Sequence, residues 1–405
     1  MTEHAVAHAN PAFEAFKAIA NLLADPRASF LGAAGGLLLM LKFRRYVFNW
    51  YVGAFVLFVE AFVILAGMKD PNFKLIVGKP DNVPITIMLF LSTITLWLAM
   101  SQAVNNERRA AQMLPPEEKE TSNQKTWVWP DLLYIEFIAL ILCTVALIVW
   151  AVWLRAPLEE PANPSATPNP SKAPWYFLGL QEMLVYYDPW YAGVVLPLII
   201  IMGLMAIPYI DTNPKGNGYY TFAERKFSLT MFLFGYLALW VFMIITGTFL
   251  RGPGWNFYGP FEYWDPHKVV ALNNVNVSDY VWVVLFPKLG DLTGIAWFKQ
   301  GLPPVQNVVP GLIPPDFASI KAFGHELFMA WKREFAGILF IGLYYVAGPW
   351  LLAKTALKAF YKTLDFGRYS MLAFLVLTMG TLPLKMVCRW LFNLKYFIDT
   401  PWIKF

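Results

Sequence analysis

The chain has 405 residues, 58% of them hydrophobic, 17% aromatic and only 15% charged, with a formal net charge of +5. So little charge excludes an ordinary soluble domain and points to an all-α, polytopic membrane protein. Two cysteines, Cys143 and Cys388, exclude a disulfide framework and are read as packing residues.

Residues 1–28 are largely polar. Phe13, Phe16, Ile19 and Leu23 recur at helical spacing, which predicts a short amphipathic helix lying along the membrane. No basic-then-apolar leader precedes the first long apolar stretch, so no cleaved signal peptide is expected. Phe30–Leu41 is too short to span and is assigned to the interface or to a protein-covered re-entrant position. Seven stretches are long enough to cross about 30 Å of hydrocarbon at about 1.5 Å per residue. They are Tyr46–Gly67, Pro84–Val104, Asp131–Leu154, Trp190–Ile210, Ser228–Leu250, Phe335–Ala353 and Tyr369–Leu391. The chain divides into three parts. Residues 1–129 hold the interfacial segment, two spans and a charged linker around Pro115–Glu120; residues 130–250 hold three spans; residues 251–405 hold a large loop and two more spans.

The loop opens Arg251-Gly-Pro-Gly-Trp-Asn-Phe-Tyr-Gly-Pro-Phe-Glu-Tyr-Trp-Asp-Pro-His267. Its prolines and glycines forbid helix, and six aromatics between Trp255 and Trp264 argue against a free tail. It reads equally as a platform for an outer partner or as a rigid lid on the chain's own helices. Lysine and arginine distribute unevenly over the short flanks. With the N-terminus in the cytoplasm, the cytoplasmic flanks hold fourteen, beginning with Lys42, Arg44 and Arg45, against seven on the other side. The expectation is a bacterial inner-membrane protein with the N-terminus cytoplasmic and the 251–334 loop extracytoplasmic.

The loop between the third and fourth spans carries Glu160-Pro-Ala-Asn-Pro164, Pro168 and Pro170, then Ala173-Pro-Trp-Tyr176. The prolines fix extended backbone across the membrane surface. Two apolar helices flank this loop, and the second ends in Pro208-Tyr-Ile-Asp-Thr-Asn-Pro214. This order resembles the C-terminal half of cytochrome b, which stands alone as subunit IV in the quinol-oxidising complexes of chloroplasts. In that family the loop carries a Pro-Glu-Trp-Tyr motif lining the site of quinol oxidation. Here Pro174 stands at the glutamate position. The resemblance covers under a third of the chain and implies an outer quinol site, with quinol or menaquinol bound at an interface. Trp175, Tyr176 and Phe177 would make its apolar slot, with the Tyr176 hydroxyl orienting the head group. Glu182, two helical turns beyond Pro174, is the nearest replacement for the missing acid. Phe177, Leu180, Leu184 and Tyr187 recur at helical spacing, predicting a short amphipathic helix there.

The histidines are His4, His8, His267 and His325, and none falls inside a span. The paired intramembrane histidines that hold b-type haem in this family are missing, as is any Cys-x-x-Cys-His for covalent haem. Any haems are therefore expected on partner subunits, namely a haem b-bearing cytochrome b-type subunit and cytochrome c or iron–sulfur subunits, with none bound by this chain alone. His267, His325 and Glu326 carry too little spacing information for a metal site, and none is expected. Glu60 and Glu136 lie inside spans, where a carboxyl is costly, and each is expected to have a partner or to stay neutral. They read as packing hydrogen bonds or as a proton path. The resulting expectation is a haem-free subunit of a quinol-oxidising complex, in contact with membrane lipid and quinone and with no nucleic-acid partner. Its rivals are a non-catalytic scaffold of the same complex and, further off, a transporter. A transporter commonly shows two related halves with broken helices, and no such symmetry is visible.

Overall fold

The computed structural model describes residues 11–121, 125–153, 161–213 except 162 and 166, 221–270, 274–286, 317–400 and 403–405, with side chains at 121, 317–327 and 329 left undescribed. In chain order the principal helices are α1 (Pro11–Leu23), α2 (Pro26–Lys42), α3 (Trp50–Gly67), α4 (Val83–Ala111), α5 (Val128–Trp153), α6 (Tyr191–Ile210), α7 (Phe222–Leu250), α8 (Phe317–Lys354) and α9 (Phe366–Phe392). Seven of the described helices, α3 to α9 with α8 counted from Ala330, are long and apolar enough to cross a membrane. The polytopic all-helical reading holds. Short helices cover Arg44–Val47, Pro71–Val77 and Leu178–Met183, and two short strands, β1 (Val275–Asn276) and β2 (Leu394–Tyr396), pair in parallel. The chain forms two compact units, one of residues 1–179 and 213–270, the other of residues 180–212 and 271–405.

In the first unit the helix starts are set by local caps. Asp25 accepts from the Arg27 N–H and precedes Pro26, Asn49 accepts from the Val52 N–H, and Thr221 accepts from the Glu224 N–H. α3 and α4 pack closely because Gly53 has no side chain: a Cβ there would stand 2.4 Å from the Trp97 ring. The Trp97 indole fills that space and donates to the Asn49 carbonyl at 3.1 Å. Around it Leu37, Leu41, Phe48, Met100, Val104, Phe222, Leu233 and Ala238 form the core at one end of the unit. At that same end the Arg44 guanidinium grips Glu107 at 2.9 Å and lies 4.3 Å from the Phe222 ring centre.

The opposite end is built from the Asp70–Val77 turn, α1 and the aromatic loop after α7. Phe73 and Phe261 stack at 5.0 Å, Phe16 meets Phe261 edge-on at 5.7 Å, and Lys17 pairs with Asp70 at 3.2 Å. α2 therefore runs from this end to the Arg44 end. At 17 residues it is one shorter than α3, and about 1.5 Å per residue makes it roughly 25 Å long. The Phe30–Leu41 stretch was expected at the interface or re-entrant; it passes from end to end, with Phe30, Leu37 and Leu41 buried. Pro26 and Lys42 at its ends shorten the apolar run below what composition recognises, and burial in the unit replaces lipid exposure. As a result α1 and the 251–265 loop share one end of the unit, although the sequence reading set them on opposite faces.

In the second unit α8 and α9 pack side by side, with α6 against α9. The tail after α9 folds back: β2 pairs with β1, and the Phe397 ring stacks on Phe340 of α8 at 5.2 Å. Glu334, fully buried, accepts from the Ser278 hydroxyl at 2.8 Å and from the Asp399 N–H at 3.1 Å. One carboxylate thus ties the start of the membrane part of α8 to the Val277–Asp279 turn and to the tail.

Candidate functional site

The proline-rich loop is anchored from the side by the chain that follows α7. The Asn169 side-chain oxygen accepts from the Gly254 N–H at 2.6 Å. The Lys172 ammonium donates to the Thr248 carbonyl at 2.7 Å and lies 4.7 Å from the centre of the Trp264 ring. Pro174 is extended, and its carbonyl accepts from the Phe177 N–H at 2.8 Å, closing a single 3-10 turn over Trp175–Phe177. A glutamate at position 174 could have supplied a carboxyl at this corner; the proline supplies only its backbone shape.

The three aromatics of the turn are arranged as a ledge. Trp175 is half-buried against a cluster of Ile85, Leu178, Ile244, Trp240, Phe249 and Trp255. Its ring meets Tyr176 edge-on at 5.6 Å, and Tyr176 meets Phe177 at 4.8 Å. Tyr176 and Phe177 are about half exposed, at 51% and 50%. The expected slot-forming residues are therefore together, two of them open to the outside. A flat apolar ligand lying on this ledge would meet ring faces and one phenolic hydroxyl.

Glu182 occupies a different setting from the one expected. The short helix Leu178–Met183 buries Leu178, Gly179, Glu182 and Met183, and the turn after it buries Tyr186 and Tyr187. This stripe lies one position beyond the expected Phe177, Leu180, Leu184, Tyr187 face, so Phe177 and Leu184 turn outward. The shift carries Glu182 to complete burial, 0% exposed, on the second compact unit. A buried carboxyl is held by its surroundings; a general base for quinol needs in addition a path to water.

The two intramembrane acids part company. Glu60 accepts from the Thr93 hydroxyl at 2.6 Å across α3 and α4, while its other oxygen is buried without a partner. Glu136 is exposed on α5, a helix with none of its residues buried. Of the histidines only His267 is described. It lies on the loop, where its N–H donates to Asp265 at 2.9 Å; His4, His8 and the side chains of His325 and Glu326 fall outside the described residues. Among the described residues no group of three or more His, Cys, Asp or Glu is placed to hold a metal ion.

Three features of the structure escaped the reading of the sequence. The Lys172 anchor pairs with a backbone carbonyl, which no motif announces. The Arg44–Glu107 pair joins residues 63 apart. Lys385 sits within the apolar run of α9, and a lysine there is itself the signal that an intramembrane charge needs a reason.

The geometry of the loop agrees with what sequence comparison finds. A model of the family described as cytochrome b (C-terminal)/b6/petD matches residues 161–250. The matched stretch starts in the proline-rich loop, takes in Trp175–Phe177 and α6, and ends with α7. The middle third of the chain is thus cytochrome b C-terminal-like. No solved structure matches the chain.

Proposed function

We propose that the chain is a haem-free subunit of a bacterial quinol-oxidising electron-transfer complex, contributing one wall of an extracytoplasmic quinol site. The observation that carries this reading is the coincidence of the family match at 161–250 with an aromatic ledge, Trp175–Phe177, anchored through Lys172 and Asn169. In this reading Trp175, Tyr176 and Phe177 contact the quinol ring and the Tyr176 hydroxyl orients a head-group oxygen. The haems belong to partners: a haem b-bearing cytochrome b-type subunit and an outer cytochrome c or iron–sulfur subunit. α5 supports the presence of a partner. It is apolar over its whole length, with 0% of its span buried, and membrane helices gain stability by packing on one another. The carboxyl of Glu136 gives such a partner a polar group to meet.

The rival reading, a scaffold that keeps the loop for its shape alone, is favoured by one pair of observations: Pro174 replaces the family's acid, and Glu182 is completely buried. The deciding experiment is quinol turnover by the assembled complex. In the catalytic reading, Glu182→Gln slows turnover by roughly 10²-fold. Tyr176→Phe weakens quinone binding by about 0.5–1.5 kcal/mol, the worth of one neutral hydrogen bond. Turnover at the parental rate in both variants assigns the chain to the scaffold role.

A further inference from the structure

Lys385 is the least expected charge in the molecule. It lies on α9 seven residues before Phe392, about 10 Å from the helix end at 1.5 Å per residue. It is 1% exposed, and its ammonium nitrogen is buried without a hydrogen-bond partner. Three rings surround it, with centres at 4.4 Å for Tyr187, 4.8 Å for Phe405 and 5.6 Å for Phe397. Ring faces attract a cation but offer no lone pair to the three N–H bonds of an ammonium group. Phe397 and Phe405 come from the tail that folds back over α8 and α9.

The remaining side of Lys385 borders a cavity of about 10 Å³ between α8 and α9, walled also by Phe340, Ile341, Tyr344, Tyr345, Thr381 and Leu384. That volume admits about one solvent-sized particle, which excludes a phosphate, a carboxylate group or a quinone ring. The nearby hydroxyls are engaged. Tyr344 donates to the Leu377 carbonyl at 2.8 Å, Thr381 donates to the Thr378 carbonyl at 2.7 Å and is shared with Tyr187 at 2.7 Å, and Tyr345 pairs with Thr378 at 3.2 Å. The ammonium is thus the one wall group whose donors have no acceptor. Nor is its charge balanced locally. Lys395 adds a like charge, against which act Asp188 and the Cys388 thiol; Asp188 also caps the Trp190 N–H at 3.0 Å. A neutral water would accept one N–H and leave the charge uncompensated in a region of low dielectric. A monatomic anion accepts the same N–H and cancels the charge.

We propose that Lys385 and the cavity beside it form a binding site for a single monovalent anion of the halide class, held by the ammonium and enclosed between α8, α9 and the tail. The site lies outside the cytochrome b-like stretch and goes beyond the quinol reading. Bound anion fastens the tail to the helix pair by completing the one unmet polar group beneath Phe397 and Phe405.

The test uses the full chain in detergent, with thermal unfolding followed in sodium gluconate, chloride and bromide at constant ionic strength. The unfolding midpoint is expected to rise with chloride and bromide along a single-site saturation curve, relative to gluconate. Lys385→Met removes that rise, and Lys385→Arg retains a halide dependence. Ile341→Phe fills the cavity without touching the charge and also removes the rise, so it decides the matter if Lys385→Met fails to fold. A midpoint equal in gluconate and bromide overturns the proposal, as does a halide rise that persists undiminished in Lys385→Met or Ile341→Phe.

Discussion

The side-chain oxygen of Asn21 accepts a hydrogen bond from the Phe261 N–H at 3.0 Å, across 240 residues of sequence. One bond thus pins the end of α1 to the aromatic loop that follows α7, and it places both at one end of the first unit. The loop is a lid on the chain's own N-terminal helix at this point, which was one of its two readings. α2 must then cross the unit to reach Arg44 and Glu107 at the other end.

The crossing of α2 predicts the sidedness of α1. In a background lacking Cys143 and Cys388, cysteines at Glu14 and Ser171 should react with an impermeant thiol reagent from the same side of intact cells. A cysteine at Ala111, at the far end of α4, should react only after the membrane is opened or inverted. Labelling of Glu14 and Ala111 positions from one side would return α2 to an interfacial position.

Removing Glu107 should be costly. Its side chain is 5% exposed and meets Arg44, itself 19% exposed, through three contacts at 2.9 to 3.2 Å. Glu107→Ala leaves a largely buried guanidinium stacked on Phe222, a loss of about 3 kcal/mol or more. Glu107→Gln keeps an acceptor and should cost less. Thermal unfolding of the two variants side by side measures the difference.

The Glu60–Thr93 bond makes a separable prediction. Thr93→Val strips the carboxyl of its partner between α3 and α4 and should destabilise by about 1–3 kcal/mol. Adding Glu60→Leu to it removes the orphaned group and should recover most of the loss. A double variant no more stable than Thr93→Val alone would mean that Glu60 is held by something other than this bond.

Gly337 is where the tail touches α8. A Cβ there would stand 1.7 Å from the Phe397 carbonyl oxygen, a backbone atom that cannot rotate away. Gly337→Ala should therefore displace the tail and cost about 1–3 kcal/mol or more. Limited proteolysis provides the readout: cleavage between residues 394 and 400 should speed up relative to the parent.

α1 should also respond to alkaline pH. Its Lys17 is held above the ordinary lysine pKa of 10.5, first by its hydrogen bond with Glu14 and then by Asp70, against opposing burial. A raised folded-state value means the stabilisation is complete below the ordinary lysine pKa and is lost as pH rises through the raised one. Docking of α1 should thus hold unchanged through neutral pH and loosen only in strong alkali. Amide exchange of residues 11–23 follows this, and Lys17→Met should show the loosened rate at every pH.

How far the sequence reaches can be judged from these residues. The seven long spans were legible because hydropathy is a local property: about twenty consecutive apolar residues mean a crossing whatever lies beside them. The loop motif was legible for a similar reason, since prolines dictate extended backbone from their own ring geometry. Composition also made the polytopic membrane class clear, and the spacing around Trp175 and Tyr176 pointed to the family that matches residues 161–250. α2 was not legible as a crossing, because Pro26, Arg27 and Lys42 trim its apolar run and only burial against α7 makes up for it. The burial of Glu182 depended on a one-residue rotation of a single-turn helix, a step too fine for periodicity over so few residues. Lys385 was visible as a letter but not as a site. Its rings arrive from Tyr187 and from the tail at Phe397 and Phe405, and which side chains surround a charge is decided by contacts between distant segments, not by the residues next to it in the chain.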